Sequence, residues 1–433
     1  MSFVDLYKQK LTTPTQIAEH FQPGWKCYSD TAVSVPQLIY KALGDRARSG
    51  GISKVTMNTF LDLVHLDCYD KDLSDKLHGV SWFSGAGARK AVNGGYGDVM
   101  PMSYNDAPRI IADYLDIDVL CISVSPMDKH GYFSTGCSGS NSVAMIRKAK
   151  RIFLEVNSNM PRTLSAPIIH ISQVDALCET DTPLPVLPIV EPDEMSVAIA
   201  SFIADEIVDG ATIQLGIGSI PNAVVTALKN KKELGIHTEM LTDGMIELLE
   251  CGVVTNTRKP IHIGRTVTTF ALGSKHMYEY IDDNPAIEML PVEYVNDPTV
   301  IAKHPNFVSI NAALEVDFYG QVCAESVGTR HISGTGGQID YVRGAIASKG
   351  GKSFIAFPST AKNETISKIA PTLTPGAIVT TGKNDVDCIV TEYGIAKLRG
   401  QTLSNRVKAL IAIAHPKFRE ELTFQAKKQN ILI

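Results

Sequence analysis

The stretch Gln214-Leu215-Gly216-Ile217-Gly218-Ser219-Ile220-Pro221-Asn222 decides the fold. Ahead of it, Ala211 to Leu215 is a short apolar run that reads as a buried strand. Behind it, Pro221 to Lys229 reads as a helix, because proline is comfortable in a first helical turn where its missing N–H costs nothing. A glycine turn between strand and helix is the joint of an α/β sheet. Such a turn leaves N–H groups at the helix N-terminus, suited to a phosphate or a developing oxyanion. Its opening matches the G-x-G-x-x-G phosphate loop, but Pro221 stands where the third glycine allows close helix–strand packing. A dinucleotide site also wants an acid about 20 residues further on, and Glu239 stands at that distance.

Working outward, Gly235 to Met240 reads as the next strand, with Glu239 near its end, and Asp243 as the cap of a helix from Gly244 to Cys251. Upstream, the apolar spacing of Val197, Ile199, Ala200, Ile203 and Ile207 predicts a helix from Asp193 to about Val208. Further strands are expected at Ile261 to Gly264, Ile287 to Leu290 and Ser353 to Phe357. In the first half, Asp118 to Val124 and Arg151 to Val156 read as buried strands, and Asp106 to Asp116 as a helix. Three prolines, Pro183, Pro185 and Pro188, mark a seam that neither a helix nor an inner strand can cross. The expectation is two open, mostly parallel α/β domains, 1–187 and 188–433, with ligands beyond the carboxyl ends of the strands.

Composition narrows the function classes. At 433 residues, 44% apolar and 20% charged, the chain is a globular protein too long for one ordinary core. No apolar run approaches the roughly 20 residues of a spanning helix, and the N-terminus lacks a signal-peptide layout, so the cytoplasm is expected. A net charge of −5 argues against a broad nucleic-acid surface. The eight cysteines, Cys27, Cys68, Cys121, Cys137, Cys178, Cys251, Cys323 and Cys388, lack the close spacing of a zinc site and read as core fillers in a reducing compartment.

Three motifs in order, Gln214 to Gly218, Gly235-Ile236-His237-Thr238-Glu239-Met240, and Ser333-Gly334-Thr335-Gly336-Gly337-Gln338-Ile339-Asp340-Tyr341, resemble the coenzyme A transferases of the acetyl-CoA hydrolase/transferase family. Val124 to Gly131, Glu155-Val156-Asn157, Asn311 to Asp317 and Pro358-Ser359-Thr360-Ala361-Lys362 extend the resemblance over nearly the whole chain. Within that family it resembles in particular the 4-hydroxybutyrate and butyryl-CoA:acetate CoA-transferases. The resemblance implies two open α/β domains with the active site between them. It also implies a homo-oligomer (dimer or tetramer), coenzyme A as co-substrate, and no permanently bound cofactor or metal. By resemblance Glu239 forms a covalent glutamyl-CoA thioester, and Gln214, Leu215, Gly216, Ile217, Gly218, Asn296, Leu314, Gly336, Gly337 and Lys362 contact coenzyme A. One departure is Asn363-Glu364, where glycines are expected after Lys362.

A carboxylate attacking a thioester needs oxyanion donors nearby, each worth about 3 to 4 kcal/mol. The turns at Gly216 to Gly218 and Gly334 to Gly337 can bring backbone N–H groups close. The expected reaction is a ping-pong exchange between acyl-CoA and short-chain carboxylic acids, with 4-hydroxybutyrate favoured over butyrate. The competing readings are a thioester hydrolase, a dehydrogenase, and a sensor that binds coenzyme A without turnover. His237 shares a strand face with Glu239 but reads first as a structural histidine, and His130 as a loop residue.

Overall fold

Two large sheets organise the chain in a computed structural model that describes residues 2–188 and 190–433; Met1 and Ile189 lie outside the described residues. Numbering only the strands of these sheets in chain order, the first contains β1 Lys26–Tyr28, β2 Val55–Phe60, β3 Leu77–Phe83, β4 Asp98–Val99, β5 Val119–Val124, β6 Arg151–Asn157 and β7 Ala176–Thr180. Their spatial order is β4-β3-β2-β1-β5-β6-β7, and every adjacent pair is parallel. β5 is buried at all six positions, as a strand covered on both faces must be.

The second sheet contains β8 Thr212–Leu215, β9 Gly235–Leu241, β10 Thr266–Ala271, β11 Ile287–Met289, β12 Val308–Ala312, β13 Lys352–Ala356, β14 Cys388–Thr391 and β15 Gly394–Lys397. Its order is β11-β10-β9-β8-β12-β13-β14-β15. The β8–β9, β8–β12, β12–β13 and β13–β14 ladders are parallel, and the edge pair β14–β15 is antiparallel. Both sheets grow to one side of their first strand and then switch to the other. Each therefore has one topological switch point, at β1/β5 and at β8/β12, where open α/β sheets take ligands. The fold is the expected mostly parallel α/β architecture in two domains.

Two compact units carry these elements: Met1–Pro188 with Glu239–Asp243 and Val267–Val295, and Ile189–Thr238 with Gly244–Thr266 and Asn296–Ile433. In the first, helix α1 Gln37–Arg48 packs Ile39, Tyr40, Leu43 and Ala47 into a core with Val55, Met57, Leu77 and Cys121. The buried Glu155 carboxylate on β6 accepts from the N–H groups of Leu38 (2.8 Å) and Ile39 (3.1 Å), so it caps that helix from the sheet. In the second, Phe318, Phe357, Ile389, Val407 and Leu410 lie in one buried cluster. Among the described residues no helix is long and apolar enough to cross a membrane. All eight cysteines are free thiols, and seven are buried.

Two local expectations are corrected. Ile261 to Gly264 is not a strand: His262 (φ 52°) and Gly264 (φ 73°) are left-handed, and the strand begins at Thr266 instead. Asp243 opens its helix, Asp243–Glu250, but its carboxylate binds Ser274, accepting from N–H at 2.8 Å and from Oγ at 2.5 Å.

Candidate active site

The β8/β12 switch point collects most of the residues selected for coenzyme A. β8 ends at Leu215, and the turn Gly216 to Gly218 carries the chain into helix Ser219–Ala227. Gly218 sits at φ 111°, ψ −172°, a conformation open essentially only to glycine. Gly216 is different: a Cβ there would meet nothing nearer than the Ile310 carbonyl oxygen at 3.9 Å. Its lack of a side chain is therefore not needed for packing and leaves the backbone open to close approach. Ile217 is exposed at the tip of the turn.

Gln214 is buried and pairs reciprocally with Asn311 on β12: Gln214 Nε2 donates to Asn311 Oδ1 (3.4 Å), and Asn311 Nδ2 donates to Gln214 Oε1 (3.2 Å). β12 then leads into Ala313 and Leu314. Gln338 Nε2 donates to the Ala312 carbonyl at 2.8 Å while its Oε1 accepts from Thr381 Oγ1 at 3.0 Å, tying this loop to helix Gln338–Ala347. That helix starts at Gly337, which follows the left-handed Gly336 (φ 59°). Asn296 is fully buried and donates to the Asp340 carboxylate in the same helix at 3.4 Å. Gln214 to Gly218, Leu314, Gly336 and Gly337 thus surround one end of the second unit, with Asn296 supporting the helix behind them.

Lys362 is exposed on a hairpin between Thr360–Ala361 and Ile366–Ser367. Lys362, Asn363 and Glu364 all have positive φ (49°, 53° and 61°). The departure from glycine therefore falls at backbone positions glycine would favour, and the fold keeps the conformation with asparagine and glutamate. Below this hairpin, Lys368 Nζ donates to the Ala313 carbonyl (3.0 Å) over the Phe357 ring; burial lowers its pKa to about 8.

Glu239 is half-buried on β9, the strand beside β8, and its carbonyl accepts from Thr268 Oγ1 at 3.1 Å. His237 is fully buried, its ring 4.9 Å from His304 and 6.3 Å from Phe307, which supports the structural reading. His130 lies in a loop organised by Asp128, which accepts from the N–H groups of His130 (2.8 Å) and Tyr132 (2.9 Å). That loop borders a cavity of about 850 Å³ with Arg162, Lys275 and Tyr278, which holds none of the selected residues. His65, Asp67 and Asp70 have ligand atoms close enough for a metal ion, but Arg48 already bonds both aspartates.

Sequence reasoning assigned no role to Asn311 and Gln338, although both stand inside the matching motifs. It also missed a buried polar cluster just past β1, in which Asp30, Thr31, Tyr104, Ser140 and Ser142 are linked by hydrogen bonds. These come from separate loops, and no local spacing announces them.

Known proteins share this sequence and fold. Family models for the acetyl-CoA hydrolase/transferase N-terminal and C-terminal domains match residues 3–199 and 273–426. The chain is 47% identical to a succinyl-CoA:cyclohexane-1-carboxylate CoA transferase of Geobacter metallireducens, over 99% of this chain and 98% of that one. It is 43% identical to a 4-hydroxybutyrate coenzyme A transferase of Clostridium kluyveri, over 99% and 100%. The crystal structure of RipA from Yersinia pestis superposes with a TM-score of 0.94 at 40% identity, covering all of both chains. With both domains matched and relatives above 40% identity along its length, the chain belongs to the acetyl-CoA hydrolase/transferase family.

Proposed function

We propose that the chain is an acyl-CoA:carboxylate CoA-transferase, that Glu239 is its nucleophile, and that 4-hydroxybutyrate with acetyl-CoA is its favoured substrate pair. The observation that carries this reading is the β8/β12 switch point: a glycine turn open to close backbone approach, with Glu239 near the end of the adjoining strand β9.

The chemistry follows from the residues. The Glu239 carboxylate attacks the acyl-CoA carbonyl, giving a mixed anhydride and free CoA thiolate. The thiolate attacks the glutamyl carbonyl, the first carboxylic acid leaves, and glutamyl-CoA remains. An incoming carboxylate attacks that thioester to regenerate an anhydride, and the thiolate closes the cycle on its acyl carbonyl. The thioester energy is conserved throughout, so the exchange needs no ATP. Backbone N–H groups of the two glycine turns are suited to the developing oxyanions. Coenzyme A lies across Gln214 to Gly218, Leu314 and Gly336-Gly337, with Lys362 as an exposed cation for its anionic end and Asn296 supporting the second turn. Binding of the long non-reacting part of coenzyme A offsets strain at the reacting carbonyl. The abundance of buried free thiols supports a reducing, cytoplasmic setting.

The named relatives differ in their acids, so the acceptor is the finest part of the proposal. One methylene or hydroxyl is worth only about 1 to 3 kcal/mol in an apolar pocket. Thioester exchange is therefore measured from acetyl-CoA to 4-hydroxybutyrate, butyrate, succinate and cyclohexanecarboxylate. The highest kcat/KM is expected for 4-hydroxybutyrate, and a clear preference for another acid would replace that assignment. Thioester loss at the same rate without any acceptor would make the enzyme a hydrolase instead.

A further inference from the structure

We propose that Glu325 is a positioning residue for coenzyme A, holding the glycine-rich turn 333–337 in its ligand-binding shape through the Thr335 hydroxyl. The inference rests on the transferase reading, in which that turn contacts coenzyme A, and adds a residue that reading does not use.

Glu325 stands at the base of a two-stranded hairpin in the second unit, Ser326–Val327 paired with Arg330–His331. Its carbonyl accepts from the N–H groups of Ile332 (2.9 Å) and Ser333 (3.3 Å), which closes the hairpin. Its side chain then reaches on to the turn that follows. Glu325 is only 6% exposed, and its carboxylate is held by two threonines. Thr380 Oγ1 donates to Oε1 at 2.9 Å, and Thr335 Oγ1 donates to Oε2 at 3.2 Å. A carboxylate offers only lone pairs, so both hydroxyl protons are committed to it.

The two threonines are not equivalent. Thr380 belongs to the framework: its N–H donates to the Val322 carbonyl (2.8 Å), and its Oγ1 accepts from the Ala324 N–H (3.0 Å). Val322 is paired in turn with Val316, on the strand that follows Leu314. Thr380 therefore aims the carboxylate, and Thr335 is the group the carboxylate holds. Thr335 lies half-buried in the middle of the turn, between Gly334 and the left-handed Gly336 (φ 59°). Gly337 follows as the N-cap of helix Gln338–Ala347 and has no side chain to offer the first N–H groups of that helix. Three glycines in five residues give this turn many backbone states. Unless something fixes it beforehand, ordering it costs part of the binding free energy of any ligand it meets. The Glu325–Thr335 bond ties the middle of the turn to the framework before ligand arrives. A carboxylate this buried is costly without its donors, so the link is strong in both directions.

The test is Thr335→Val, which keeps the side-chain shape and removes the donor, with Thr335→Ser as the conservative variant. Glu325→Ala and the double variant Glu325→Ala/Thr335→Val complete a cycle. All are compared with the parent for KM for acetyl-CoA, KM for the acceptor acid, kcat and melting temperature. Thr335→Val and Glu325→Ala are each expected to raise KM for acetyl-CoA about tenfold. Their kcat should fall by less than about threefold, and KM for the acid should stay within about twofold. Thr335→Ser should return KM for acetyl-CoA to within about twofold of the parent. The double variant should be no weaker than either single one, because both break the same link. A folded Thr335→Val with parental KM would overturn the inference, as would serine failing to restore it, or losses that multiply in the double variant. Should Glu325→Ala not fold, the valine and serine variants decide the matter alone. A parent enzyme that forms no glutamyl-CoA would defeat the transferase reading itself, a separate outcome visible before any variant is made.

Discussion

At the scale of single residues, the two glycines of the β8 turn do different work, and substitution separates them. Gly216→Ala places its methyl in open space, so the melting temperature should hold while KM for acetyl-CoA rises about tenfold. Gly218→Ala must hold φ near 111°, at a cost of about 1 to 3 kcal/mol, so its first effect should be a lower melting temperature. Equal stability loss in both would show that the turn is purely structural. His304 offers a second residue-level test. Burial, with the charges of Lys259 and His262, pulls its pKa from 6.5 to about 3, so the folded protein keeps the ring neutral. Its contribution is whole above the unfolded pKa of 6.5 and drains away as pH falls and the unfolded chain takes up the proton. Stability should drop by about 2 kcal/mol from this source between pH 7 and 5. In denaturant titrations His304→Leu should lose that part of the slope; an unchanged slope would mean the imidazole is already charged in the fold. Neither behaviour was legible in the sequence, because the His304 ring packs against His237, brought in from β9, as well as against nearby Phe307.

At the scale of elements, the strand–turn–helix joint was readable because glycine and proline act locally: Gly218 supplies the positive φ, and Pro221 sits buried in the first turn of the helix. Strand Ile261 to Gly264 was misread for the converse reason. Its β-branched and apolar residues suggested a strand, whereas left-handed His262 and Gly264 belong to the turn that precedes one. The motif Glu155-Val156-Asn157 matched the family without revealing its purpose. Glu155 caps helix α1 and Asn157 Nδ2 donates to the Thr182 carbonyl at 2.9 Å, so the motif supports the sheet rather than the chemistry. The hairpin at Lys362 carries its own prediction. A left-handed non-glycine residue costs about 1 to 2 kcal/mol, and Glu364 is exposed, with a long 3.7 Å ion pair to His415. Glu364→Gly should therefore raise stability by about 1 kcal/mol in denaturant titration, with acetyl-CoA affinity unchanged. A loss of stability would show that the glutamate contact outweighs the backbone strain.

At the scale of the whole molecule, strand–helix alternation announced an α/β protein with parallel sheets. It did not announce that both sheets follow the same order around their first strand, since pairing of strands far apart in sequence leaves no local trace. That shared order explains why chemistry-bearing side chains collect in two places: the coenzyme A candidates at β8/β12, and Asp30 and Thr31 at β1/β5. The central claim is that one carboxylate, that of Glu239, carries the cofactor between the two acids. Mass analysis of the intact protein and of its Glu239 peptide after incubation with acetyl-CoA tests it most directly. A coenzyme A adduct on Glu239 that disappears when a carboxylic acid is added is expected, with exchange in Glu239→Ala reduced by a factor on the order of 10⁴ or more. An unmodified Glu239 peptide in a protein that still exchanges thioesters, or a Glu239→Ala variant at parental speed, would contradict the account.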